Sequence, residues 1–263
     1  MTYFEPPDAP GGEPPGPAFT SEGPPPDGGN PEEEYPFWGW ADVFLLAGLA
    51  VPVILLVSAI IAAAAYATQW VPRFRAVVPL AATFLFYGFY IVLMWLYFRL
   101  RYRRPLFSSL GWVSPRPLRI HPITWGVITA IGAVVFGVAL RTPDVKTPLD
   151  QLMADPVSIA LMSIFAVTLA PVFEELLFRG LLFPLIARSL GAVAGAVLAA
   201  LPFALLHGPE YAWTWQRVGV VFLAGAAFGW MRYTSNSTAA AALMHAGYNG
   251  TFVAMLALSK VAS

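Results

Sequence analysis

From residue 41 onward the chain alternates long apolar runs with short polar breaks. Residues 41–67 are almost continuously apolar, and 77–98 repeat the pattern after the break Trp70-Val-Pro-Arg-Phe-Arg75. A third run covers 120–140, and further runs follow at 157–170, 172–188, 191–207, 217–231 and 238–258. A helix needs about 20 apolar residues to cross a bilayer, so the pattern predicts repeated crossings. The expected fold is all-α: a polytopic membrane protein, a bundle of about eight (seven to eight) transmembrane helices. The count turns on whether 157–188 forms two short helices or one long tilted one.

Residues 1–36 break the pattern, being dense in proline, glycine and acid with no lysine or arginine. Such a segment buries too little apolar surface to offset the entropy of ordering it. It is read as a disordered tail, and it lacks the basic start of a secretory signal, so the first run is read as a retained anchor. The chain thus divides into the tail 1–36, N-terminal transmembrane helices over 37–150, and a core over 151–263 that carries the chemistry.

Composition and charge narrow the class. Hydrophobic residues make up 58% and charged residues 11%, with a mean hydropathy of +0.66, far from a soluble domain. A formal net charge of +0 and the lack of any basic cluster interleaved with aromatics exclude nucleic acid as a partner. The membrane lipid is the expected surrounding. With Cys 0, disulfides, thiolate metal sites and a cysteine nucleophile all fall away. Between Arg99 and Arg119 lie six arginines and no acid. The positive-inside rule puts this connection in the cytoplasm, with the tail on the same side. Trp38, Trp40, Trp70, Trp112 and Trp125 fall where interfacial aromatic belts are expected.

Chemistry concentrates at Pro171-Val-Phe-Glu-Glu-Leu-Leu-Phe-Arg-Gly180. Charges in hydrocarbon cost several kcal/mol each and mark substrate, ion or proton chemistry. Glu175 and Arg179 are i,i+4 and share a helix face, while Glu174 is turned about 100° away. One carboxylate can therefore pair with the guanidinium and pin the helix that presents the other. The runs on either side of Ser189-Leu190-Gly191 form a hairpin, with Glu174 about 16 residues before the turn and His207 about 16 after it. Equal arms bring the two side chains to one depth. His245 and Asn249 repeat the i,i+4 spacing on the last run. His121 opens the third run beside Pro122 and the arginine-rich connection, and is read as interfacial.

Glu174-Glu175-Leu-Leu-Phe-Arg179-Gly180, Phe203-Ala-Leu-Leu-His207 and His245-Ala-Gly-Tyr-Asn249 resemble the E-E-x-x-x-R, F-x-x-x-H and H-x-x-x-N motifs of the CAAX prenyl protease and bacteriocin-processing family. Gly229-Trp-Met-Arg232 and Ser237 resemble its less strict third region. The resemblance covers about residues 155–258, in family order. It implies a glutamic intramembrane endopeptidase in a cell membrane, bacterial by this reading, with the site facing the cytoplasm. Its substrate would be a membrane-associated protein or peptide, prenylated or not, cut near its C-terminus. Glu174 and His207 would activate a water, His245 and Asn249 would stabilise the oxyanion, and Glu175 and Arg179 would give structural support. No cofactor is expected. Zinc is the lesser alternative: Glu174, His207 and His245 are zinc-ligand types, but H-E-x-x-H is absent. A second class of reading is a non-proteolytic scaffold or proton-coupled transporter that uses the same polar cluster. Glu174→Gln separates the two, since only a peptidase loses cleavage.

Overall fold

The computed structural model describes residues 35–68, 77–152 and 155–262. The tail reading over 1–34 and the break around Trp70 lie outside these residues. Among the described residues every regular element is helical: α1 (Trp40–Thr68), α2 (Val77–Arg101), α3 (Leu106–Ser109), α4 (Pro122–Ala139), α5 (Pro148–Leu152), α6 (Pro156–Val167), α7 (Leu169–Glu175), α8 (Phe183–Leu190), α9 (Ala192–Leu206), α10 (Trp215–Ser235) and α11 (Thr238–Ala262). A π-helical stretch, Leu176–Leu182, joins α7 to α8. A 3-10 turn, Pro209–Tyr211, lies between α9 and α10.

Among the described residues five helical runs are long and apolar enough to span: Trp40–Ala64, Val78–Arg101, Pro122–Ala139, Pro156–Leu190 and Thr238–Ser259. Their outer faces expose Phe44, Leu55, Val92, Ile131 and Val138 among others, apolar surface suited to lipid rather than water. The chain is an integral membrane protein. Residues 157–188, expected as either two helices or one, form a single interrupted run. The interruption is chemical. Pro171 has no N–H, and its ring collides with the carbonyl four residues back in a regular helix. The chain leaves helical geometry at Thr168 (φ −123, ψ −83) and resumes at Leu169.

The core half of the bundle is built by close approach. α11 lies along α4, α10 along α9, and α8 folds back on α9. A Cβ on Gly126 of α4 would sit 2.1 Å from the Met244 carbonyl oxygen, and one on Gly247 of α11 would sit 2.5 Å from that of Ile123. Small residues let helices in lipid approach until dispersion and backbone contacts hold them, and here they set the depth of the helix that carries His245 and Asn249. The start of α11 is capped by Ser237, whose hydroxyl accepts from Ala240 N at 3.2 Å. It is tied to the arginine-rich connection by Thr238 N to Gly111 O at 2.8 Å and Arg116 N to Ser235 O at 2.9 Å.

Trp38 departs from the interfacial expectation. It is 2% exposed, and its indole donates to Leu181 O at 3.0 Å. Residues 35–40 are thus packed against the π-helical stretch, where irregular winding disturbs the regular backbone ladder. Trp40 and Trp125 stay exposed, and His121 caps the exposed start of α4. Gly247→Val is expected to force α4 and α11 apart at a cost of about 1–3 kcal/mol, read as a lower unfolding temperature in detergent. The same substitution at Gly48 of α1, where a Cβ would meet nothing within 4 Å, serves as the neutral control.

Candidate active site

Arg179 and Glu175 form the floor. Both are fully buried, and Arg179 Nη1 donates to Glu175 Oε1 at 2.9 Å. Its Nη2 donates to Gly225 O of α10 at 2.5 Å. The guanidinium lies 4.6 Å from the centre of the Phe203 ring and 5.5 Å from that of Phe228, so cation–π contact adds to the ion pair. His245 Nδ1 sits 3.0 Å from the same Glu175 oxygen, and its ring stacks on Phe228 at 4.6 Å. The ion pair therefore fixes the orientation of an imidazole on another helix.

Glu174 faces the other way, toward a cavity of about 850 Å³ that is also lined by His207, His245 and Asn249. The hairpin of α8 and α9, turned at Gly191 (φ 86), sets His207 Nε2 3.9 Å from Glu174 Oε2. His245 Nε2 lies at 3.9 Å from that same oxygen. Glu174 Oε2 is buried and has no hydrogen-bond partner within the protein. His207 Nδ1 lies 2.7 Å from Phe203 O. A carbonyl only accepts, so Nδ1 carries the proton and, in the neutral ring, Nε2 turns a lone pair toward Glu174. Asn249 Nδ2 donates to Ala166 O at 2.7 Å, beside the helix break, which leaves one amide N–H for the cavity.

The six motif residues thus fall into two linked layers, an ion-paired floor and an open face above it. Two lining residues gave no sign in the sequence. Tyr87 of α2 donates from its hydroxyl to Glu174 Oε1 at 3.0 Å; it is one tyrosine in a helix rich in aromatics. Glu210, in the turn three residues past His207, also lines the cavity. Desolvation by the surrounding protein raises its carboxyl above the ordinary range, with His207 opposing and Glu174 adding to the rise, although the residue as a whole is exposed. Among the described residues no group of three or more His, Asp and Glu side chains is arranged to hold a metal ion.

Arg141, Thr142, Glu210 and Arg217 are among the polar residues that line the cavity. These lie where α4 ends and α10 begins, the opposite end of the bundle from residues 102–121. These polar lining residues and the arginine-rich connection therefore sit at opposite ends of the bundle.

A carboxylate and two imidazoles that meet at a cavity within an all-helical membrane bundle have the groups that water activation or proton transfer needs. Residues 156–251 match the model of the family described as type II CAAX prenyl endopeptidase Rce1-like. That segment holds all six motif residues, and its match to this CAAX protease family supports a peptidase acting on protein or peptide. No curated protein and no solved structure matches the chain significantly.

The chain has no cysteine, so single cysteines placed at Ser108 and Thr142 report their side of the membrane without background. A membrane-impermeant maleimide applied to intact cells is expected to label one of the two and reach the other only after permeabilisation. Labelling of both from one side would refute the two-ended arrangement.

Proposed function

We propose that this chain is a glutamic intramembrane endopeptidase that cuts a membrane-associated protein or peptide near its C-terminus, with Glu174 and His207 activating water. The observation that carries the reading is Glu174 Oε2. It is a buried carboxylate oxygen without a protein partner, 3.9 Å from each of two imidazole nitrogens, at the wall of a cavity large enough for an extended chain. A water held between Oε2 and His207 Nε2 meets two acceptors and can give a proton to either as it attacks the scissile carbonyl. The proton taken up passes to the departing amine. Asn249, with its remaining N–H, supplies a donor where the oxyanion develops, and His245, whose Nδ1–H is committed to Glu175, adds a second from Nε2 in its imidazolium form.

Metal-free hydrolysis is part of this proposal, supported by the absence of H-E-x-x-H and by the roles the three groups already fill. The substrate class follows from the largely apolar cavity walls: a segment delivered from the bilayer, lipidated or not. The membrane is proposed to be a bacterial cell membrane. The site is proposed to face the cytoplasm, as the family resemblance implies, and the cysteine labelling tests this against the opposite placement favoured by the arginines of 99–119.

Glu174→Gln is expected to abolish cleavage without unfolding the protein. The readout is a proteome-wide comparison of C-terminal fragments that accumulate with the native enzyme and vanish with the variant. Asn249→Ala is expected to lower kcat by about 10²–10³, the usual effect of losing one oxyanion donor. A chelator series is expected to leave activity unchanged. Activity that vanishes with chelator and returns with zinc would overturn the glutamic assignment.

A further inference from the structure

A carboxylate has two equivalent oxygens, and free rotation would present either one to a substrate. At Glu174 the two are not equivalent. Oε1 accepts the hydroxyl of Tyr87 at 3.0 Å, whereas Oε2 has no partner and faces the two imidazoles. The phenol comes from α2, a helix outside the segment 156–251 that carries the family motifs.

Tyr87 is itself held tightly. Its ring lies 3.9 Å from that of Phe173 at an interplanar angle of 32°, and 5.1 Å from Phe165. Phe86 sits beside it at 5.9 Å. Phe173 directly precedes Glu174, and Phe165 lies just before the break at Thr168. The same short stretch of chain therefore orients both the donor and the acceptor. A tyrosine loses only two side-chain torsions when fixed in this way, so the hydroxyl is aimed at small entropic cost.

We propose that Tyr87 is a positioning residue for Glu174: its hydroxyl occupies one carboxylate oxygen and so commits the other to the gap between His207 and His245. The proposal rests on the endopeptidase reading for its catalytic consequence, while the contact itself can be tested apart from it. A tyrosine that merely glued α2 to α7 would act through its ring. A positioning tyrosine acts through its oxygen.

Tyr87→Phe keeps the ring stacking and removes only the hydroxyl. Its kcat is expected to fall about 10-fold, the size of one hydrogen bond to a charged group, with KM and unfolding temperature unchanged. The infrared carboxylate band of Glu174, identified as the band lost in Glu174→Gln, is expected to shift in Tyr87→Phe. 3-Fluorotyrosine at position 87, a stronger donor of nearly the same shape, is expected to shift it in the opposite direction. An unmoved band overturns the proposal whatever the kinetics, and so does a shifted band with kcat unchanged. Loss of activity through a higher KM or a lower unfolding temperature marks a structural role and also overturns it. A band that shifts in a protein whose native form cleaves nothing sinks the endopeptidase reading and leaves the Tyr87 contact standing.

Discussion

The structure depends on placing one arginine and its carboxylate inside a membrane bundle. Neither Glu175 nor Arg179 is exposed, and taking two such charges out of water costs several kcal/mol each unless geometry and further hydrogen bonds recover it. The recovery comes from three helices. Glu175 supplies the counter-charge, Gly225 O of α10 accepts from the guanidinium, and Phe203 of α9 offers a ring face to it. The cluster therefore forms only when these helices are correctly docked, and it then holds them there. Because Glu175 also holds His245, the same interaction orients a group of the open face.

Glycine and proline make that docking possible, in opposite senses. Gly126 and Gly247 bring α4 and α11 within reach of backbone contact, which sets His245 and Asn249 at the level of Glu174. Pro171 breaks the helix that presents the carboxylates, and Asn249 reaches the carbonyl of Ala166 beside that break. The π-helical winding that follows is braced by Trp38 from the N-terminal segment. The π-helical winding persists at this depth because Leu176, Phe178, Arg179, Gly180 and Leu181 are enclosed by protein.

The N-terminal helices are more than an anchor. α2 carries Tyr87 to Glu174, and residues 35–40 cover the winding between Glu175 and α8. The matched segment 156–251 contains the motif residues, yet the surroundings that orient Glu174 come partly from outside it. Their sequence carries no such mark: Tyr87 stands among Phe84, Phe86, Phe89 and Tyr90, and helical spacing cannot say which of these reaches a carboxylate on another helix. Trp38 reads as a headgroup anchor for the same reason, since position at the end of an apolar run does not show what packs over it.

The sequence by itself determined the helical membrane class, the identity of the charged cluster and the i,i+4 pairing of Glu175 with Arg179, because hydropathy and helical period are local properties. Hairpin symmetry around residues 189–191 extended this to the common depth of Glu174 and His207. Tertiary structure alone decided that 157–188 is one interrupted run, which oxygen of Glu174 is free, and which end of the bundle holds the polar lining residues Arg141, Thr142, Glu210 and Arg217. Those outcomes depend on contacts between residues far apart in the chain, where small differences in helix rotation and tilt decide which atoms meet.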